Sequence, residues 1–177
     1  MNKSEKKAVE FLENKGFTVE QNDKGKNRIG GKRPDFIISN LNGFTAFCEF
    51  KNMESIMKGS HVEVRKIFTK LFSKIKTSGK QLKFNRRNLF HTVPNIVFLN
   101  CEDLSITHFD VRDLLRNRST IPVYGSKSFP QKMRKTVDKF LISSIDMILL
   151  TNNNFGQDFY FIYDGPFKEI IGQTFIK

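Results

Sequence analysis

Asp35, Glu49 and Lys51 are the side chains of this sequence best suited to chemistry. They interrupt two short apolar stretches, DFIIS and FTAFCEFKN, joined through Asn42-Gly43. Asn and Gly tolerate the positive φ that a tight hairpin turn needs. Side chains alternate between the faces of a strand, so Phe44, Ala46, Cys48 and Phe50 share one face of the second stretch. Thr45, Phe47, Glu49 and Lys51 share the other. In an antiparallel hairpin the start of the first strand lies beside the end of the second. Asp35 is therefore predicted to meet Glu49 and Lys51, and two carboxylates and an ammonium converge at one rim of a sheet.

Carboxylate oxygens suit a hard divalent cation, magnesium or manganese. Asp35 and Glu49 are the predicted metal ligands, with the main-chain carbonyl of Phe50 as a third donor and Glu5 as a further candidate. A metal held there polarises a phosphodiester and lowers the pKa of a bound water. Lys51 is expected to act charged, positioning the nucleophile or stabilising negative charge on the phosphate, because nearby carboxylates oppose its deprotonation. The plainer alternative makes Asp35 a strand opener and Glu49–Lys51 a solvent-facing pair. Phe47 on the same face argues for partial burial, and a buried charge needs a partner or a metal.

The surrounding elements must place these groups. Ser4–Lys15 reads as a helix capped by Ser4, with Ala8, Val9, Phe11 and Leu12 as its apolar stripe and Gly16 as a left-handed end. Phe17–Glu20 reads as an edge strand, and residues 21–33 as a polar, basic loop. His61–Asn85 reads as a helix with Val64, Ile67, Phe68, Leu71, Phe72, Ile75 and Leu82 on its apolar side, and Gly79 as a point of bending or division. Asn95–Leu99 is a continuous apolar run, expected as a central strand reached by a helical crossover, hence an α/β sheet. Residues 110–117 suggest a short helix, and 121–124 an edge strand. Residues 131–150 are expected to form a helix opened by Pro130 and stopped at Asn152–Asn154, and 159–163 and 168–175 a terminal strand pair or docked tail.

Thirty Lys and Arg against eighteen Asp and Glu give a formal charge of +12, which points to a polyanionic partner. The charge is lopsided: residues 1–90 hold twenty basic and nine acidic side chains, residues 91–177 ten and nine. The positive field thus accompanies the carboxylate cluster. Arg65, Lys66, Lys70, Lys74, Lys76, Lys80, Lys83, Arg86 and Arg87 follow one another without an intervening acid, and Lys24, Lys26, Arg28, Lys32 and Arg33 crowd the preceding loop. All are candidate phosphate contacts, which position a duplex without reading its sequence. The alternative for the helix is a solvated basic face. No signal-peptide pattern or apolar span argues for a membrane. Cys48 and Cys101 sit in apolar surroundings, as expected of buried thiols in a reducing compartment, here the cytoplasm. His61, His91 and His108 lack metal-ligand spacing and read as surface or packing residues.

Pro34-Asp35, a thirteen-residue gap and Glu49-Phe50-Lys51 resemble the PD-(D/E)xK nuclease superfamily. The resemblance covers about residues 5–99 and includes the opening phrase FLENKGF. It implies an α/β, restriction-endonuclease-like mixed sheet flanked by helices, and metal-dependent cleavage of nucleic acid leaving a 5′-phosphate. By the same resemblance Asp35 and Glu49 are metal ligands, Lys51 is the catalytic lysine, and Glu5 and Gln81 match helix residues found in some branches. Asn85 stands where a tyrosine would complete a QxxxY motif.

The expectation is one nuclease-like domain over residues 1–177, hydrolysing duplex or structured DNA with Mg2+ or Mn2+, RNA being a second substrate class. Residues 100–177 are its less legible extension, expected to complete the sheet, shape specificity or contact a second copy or a protein partner. The competing readings are a nucleic-acid-binding module that does not cleave, and an interaction subunit of a nuclease complex.

Overall fold

The computed structural model describes residues 1–22, 34–53, 64–88, 93–101, 144–152 and 157–176. Helix α1 (Lys3–Asn14) leads into β1 (Phe17–Gln21), β2 (Phe36–Asn40) and β3 (Thr45–Met53). Helix α2 (Val64–Asn88) crosses to β4 (Asn95–Cys101), followed by β5 (Met147–Asn152), β6 (Gln157–Ile162) and α3 (Lys168–Phe175). The strands form one six-stranded sheet in the order β1-β2-β3-β4-β5-β6. β2 runs antiparallel to both of its neighbours, β1 and β3; β3, β4 and β5 run parallel, and β6 returns antiparallel to β5. The sheet is mixed, and helices cover both faces.

The turn between β2 and β3 explains the register. Asn40 Oδ1 accepts from the amides of Asn42 and Phe44, each at 3.0 Å, while the Gly43 amide donates to the Asn40 carbonyl at 3.1 Å. Gly43 follows with φ +80°, so the glycine absorbs the left-handed residue of a three-residue connection. This pairs Phe36 with Cys48 and Ile37 with Phe47, and carries Asp35 toward Glu49.

Period-two alternation then divides the core. Ala46, Cys48 and Phe50 of β3 join Phe36, Ile38, Ile96, Phe98, Met147 and Leu149 under Ala8 and Leu12 of α1 and Ile171 of α3. Met53 of the opposite face joins Val97, Leu99, Cys101, Ile148 and Leu150 under Leu71, Ile75 and Leu82 of α2, with Phe47 packed against them. Burial of each large apolar side chain contributes roughly 1.5–3 kcal/mol, so both layers hold the sheet. Cys48 and Cys101 are free and buried, as expected. Gly79 neither divides α2 nor interrupts its span: it and Ser78 are buried between Ile75 and Leu82, where small side chains let the helix approach the sheet.

Three expectations are corrected. Residues 147–150, expected in a helix, form the centre of β5, and Asn152 ends a strand rather than stopping a helix. A short, fully buried apolar run has no polar face to reveal its period. Residues 168–175 form α3, so of the two expectations the strand is corrected and the docked tail holds, with Ile171 buried in the core. The cap of α1 is Asn2 rather than Ser4: Asn2 Oδ1 accepts from the Glu5 amide and Glu5 Oε2 accepts from the Asn2 amide, both at 2.8 Å, a reciprocal capping box. The left-handed Gly16 at the helix end, φ +84°, is as expected. β5 and β6 complete the sheet from the less legible half. The predicted elements at 110–117 and 121–124, most of the 21–33 loop, residues 131–143 and the three histidines lie outside the described residues.

Candidate metal centre

Asp35, just ahead of β2, turns its carboxylate across to β3, where Oδ2 accepts from the Phe50 amide at 2.9 Å. That bond fixes the carboxylate between two side chains projecting from the α2 side of β3, Glu49 and Lys51. Lys51 Nζ lies 3.9 Å from the same Asp35 oxygen and donates to Glu49 Oε1. The predicted convergence of two acids and a lysine is present.

The three groups differ in exposure. Asp35 and Lys51 keep 19% and 15% of their side chains exposed, against 0% for Glu49. The site is thus open to solvent at Asp35 and Lys51, while Glu49 is closed off from it. Glu49 Oε2 is buried without a hydrogen-bond partner. Burial pushes the Glu49 carboxyl up to about 7; Lys51 pulls it down, the neighbouring Asp35 charge adds to the rise, and the Asp35 backbone amide opposes it. Cys48, in the opposite core, is pushed up chiefly by its own burial and is an inert thiol.

Comparison with protein-family models, with curated proteins and with solved structures gives no match.

Among the described residues no three or more His, Cys, Asp and Glu side chains gather into a metal-holding group. Glu5 does not complete a triad with Asp35 and Glu49; its carboxylate closes the capping box of α1, which packs on the other face of the sheet. Magnesium, however, is commonly held by one or two carboxylates, with water and substrate phosphate filling the remaining positions. Glu49 Oε2, a buried oxygen with no donor, and the partly open Asp35 fit that demand.

Gln81 lies half-buried on α2, the helix that covers the β3 face carrying Glu49. Lys70 and Lys74 flank the buried stripe of α2 on one side, and Lys76, Lys80 and Lys83 on the other, with Lys80 exposed. Arg65, Lys66, Arg86 and Arg87 belong to α2 by backbone. Lys24, Lys26, Arg28, Lys32 and Arg33 lie outside the described residues.

Sequence reasoning missed a second polar group on the α1 face. Thr151 Oγ1 donates to Asn100 Oδ1 at 3.1 Å, and Asn100 Nδ2 donates to Asn52 Oδ1 at 2.8 Å. Asn52 Nδ2 then donates to Ser4 Oγ at 3.1 Å. The available signal was a polar residue ending each of three apolar runs, EFKN, VFLN and ILLT.

Proposed function

We propose that this chain is a divalent-metal-dependent endonuclease hydrolysing DNA phosphodiesters, built on a restriction-endonuclease-like sheet of the PD-(D/E)xK kind. The observation that carries the reading is the buried, partnerless Glu49 Oε2 beside Asp35 and Lys51. The order α1-β1-β2-β3-α2-β4 supports it, being the helix–strand–hairpin–helix–strand context on which the resemblance rests.

Asp35 and Glu49 would hold the ion, Mg2+ or Mn2+, with the Phe50 carbonyl as the further donor from the same strand. When bound, the metal polarises the phosphodiester and makes a coordinated water nucleophilic near neutral pH. The Phe50 amide keeps Asp35 turned toward β3. Lys51, at the open side, would stabilise negative charge on the scissile phosphate. Its bond to Glu49 Oε1 offsets part of the cost of burying that carboxylate before the metal arrives. The basic run of α2 supplies phosphate contacts that hold duplex or branched DNA by its backbone.

The test is cleavage of linear, supercoiled, branched and single-stranded DNA, and of RNA, with Mg2+, Mn2+ or EDTA. Metal-dependent cutting that disappears in folded Asp35→Asn and Lys51→Ala proteins supports the proposal. Equal nucleic-acid binding by all proteins with no cutting supports a second reading, a binding module that does not cleave. The Lys51–Glu49 pair favours that reading, since it already gives one Glu49 oxygen a partner.

A further inference from the structure

Asn52 follows Lys51 directly and points to the opposite face of the sheet. There it is the third member of a directional chain, Thr151 to Asn100 to Asn52 to Ser4, crossing the carboxyl ends of three parallel strands and finishing on the first turn of α1. Each amide donates with its nitrogen and accepts with its oxygen, so the chain has one consistent direction. None of its side-chain atoms is buried without a partner.

Such a chain is a costly way to fill a core. Asn100 and Thr151 are 5% and 6% exposed, each directly after an apolar run, Ile96–Leu99 and Met147–Leu150. Replacing satisfied buried polar groups by apolar groups of similar shape is often neutral or stabilising, so stability alone does not account for them. What the chain does fix is geometry. It ties the end of β3, one residue beyond Lys51, to β4, β5 and α1 at once. A strand end frays when only its backbone is paired; here a side-chain bond holds it from each side.

We propose that Asn52, anchored by Asn100 and by Ser4, is a positioning residue that orders the end of β3 and thereby holds the Lys51 ammonium over the Asp35–Glu49 carboxylates. The catalytic consequence rests on the nuclease reading, whereas the ordering of Lys51 does not. Groups that orient a metal ligand from outside typically change activity 10–100-fold when lost, and the lower end of that scale is expected for a residue acting through the backbone.

The experiment uses the full chain with 13C-labelled lysine, reading the mobility of the Lys51 side chain by relaxation of its terminal methylene, alongside DNA cleavage. Ser4→Ala, at a half-buried helix position, is expected to leave the fold intact; Asn52→Ala tests the centre of the chain. Both variants are expected to make Lys51 more mobile and to lower turnover about 10-fold with KM for DNA unchanged. Ser4→Thr, which keeps the hydroxyl, restores both. Lys51 as ordered in folded Ser4→Ala and Asn52→Ala as in the wild type overturns the proposal. Should Lys51 loosen while no protein cuts any substrate, the positioning stands and the nuclease reading fails. Should the wild type cut and both variants match it in turnover, the catalytic role of the chain is refuted and the nuclease reading survives.

Discussion

The two faces of β3 carry two polar groups within four residues of one another, and they are opposites. On the α1 face Asn52 belongs to a chain of neutral side chains in which the buried atoms are partnered. On the α2 face Glu49 is a fully buried carboxylate with one oxygen on Lys51 and the other without a hydrogen-bond partner. Buried polar groups are normally hydrogen-bonded, and exceptions call for an explanation. The satisfied group holds the strand in place. On the reading proposed above, the unsatisfied one is the oxygen that would face a cation.

That contrast makes unequal demands on mutation. The largest effect belongs to the α2 face: on the nuclease reading, Asp35→Asn, Glu49→Gln or Lys51→Ala is expected to lower metal-dependent DNA cleavage by about 100–1,000-fold, the scale of losing a group aimed at transition-state charge. Circular dichroism should report an unchanged fold in each. A wild-type rate in folded Glu49→Gln would break the contrast outright.

The next effect is on stability and has a definite sign. Glu49 is raised from its ordinary 4.5 to about 7, so between those values the folded protein binds more protons than the unfolded chain. Stability is favoured by this group below 4.5 and lost as pH rises through about 7, over an interval corresponding to roughly 3 kcal/mol. Denaturation with urea from pH 4.5 to 8 should show Glu49→Gln gaining on the wild type as pH rises. Saturating Mg2+ at pH 8 should recover stability in the wild type alone. A constant difference between the two proteins across that range contradicts the assignment.

On the α1 face the same kind of removal is structural in sign and smaller. Asn100→Ala strips partners from Asn52 and Thr151, and a buried group left unsatisfied costs about 1–3 kcal/mol. Its chemical midpoint should fall with little dependence on pH, unlike that of the Glu49 variant. Gly16→Ala lies at the bottom of the scale. Nothing crowds a Cβ there, so the φ of +84° is the sole obstacle, and the loss is about 1 kcal/mol in thermal melting.

The difference between the faces also explains what could be read beforehand. Charges inside an apolar strand are conspicuous, and alternation with a hairpin turn places Asp35, Glu49 and Lys51 together from spacing alone. The division of β3 between two core layers follows from the same rule. Asn52, Asn100 and Thr151 gave a weaker signal, because a polar residue ending a strand resembles the start of a loop. Their pairing depends on parallel register, set by the α2 crossover and by β5. β5 itself was hidden, since MILLT is buried along its length and its apolar residues suit either period. The Asn2–Glu5 capping box was legible as N-x-x-E, but Ser4 competed for the role and proved to be a partner of Asn52 instead.

The most direct measurement of the central claim is Mn2+ affinity across pH 5.5 to 8.5, by titration calorimetry, for the wild type, Asp35→Asn and Glu49→Gln. A cation that replaces the proton of Glu49 must bind more tightly as that proton leaves, so wild-type affinity should rise at least about tenfold through pH 7. Both variants should bind more weakly, and the Glu49→Gln profile should be flat. Wild-type binding that ignores pH and is matched by Glu49→Gln would show that the buried Glu49 oxygen is not a metal ligand.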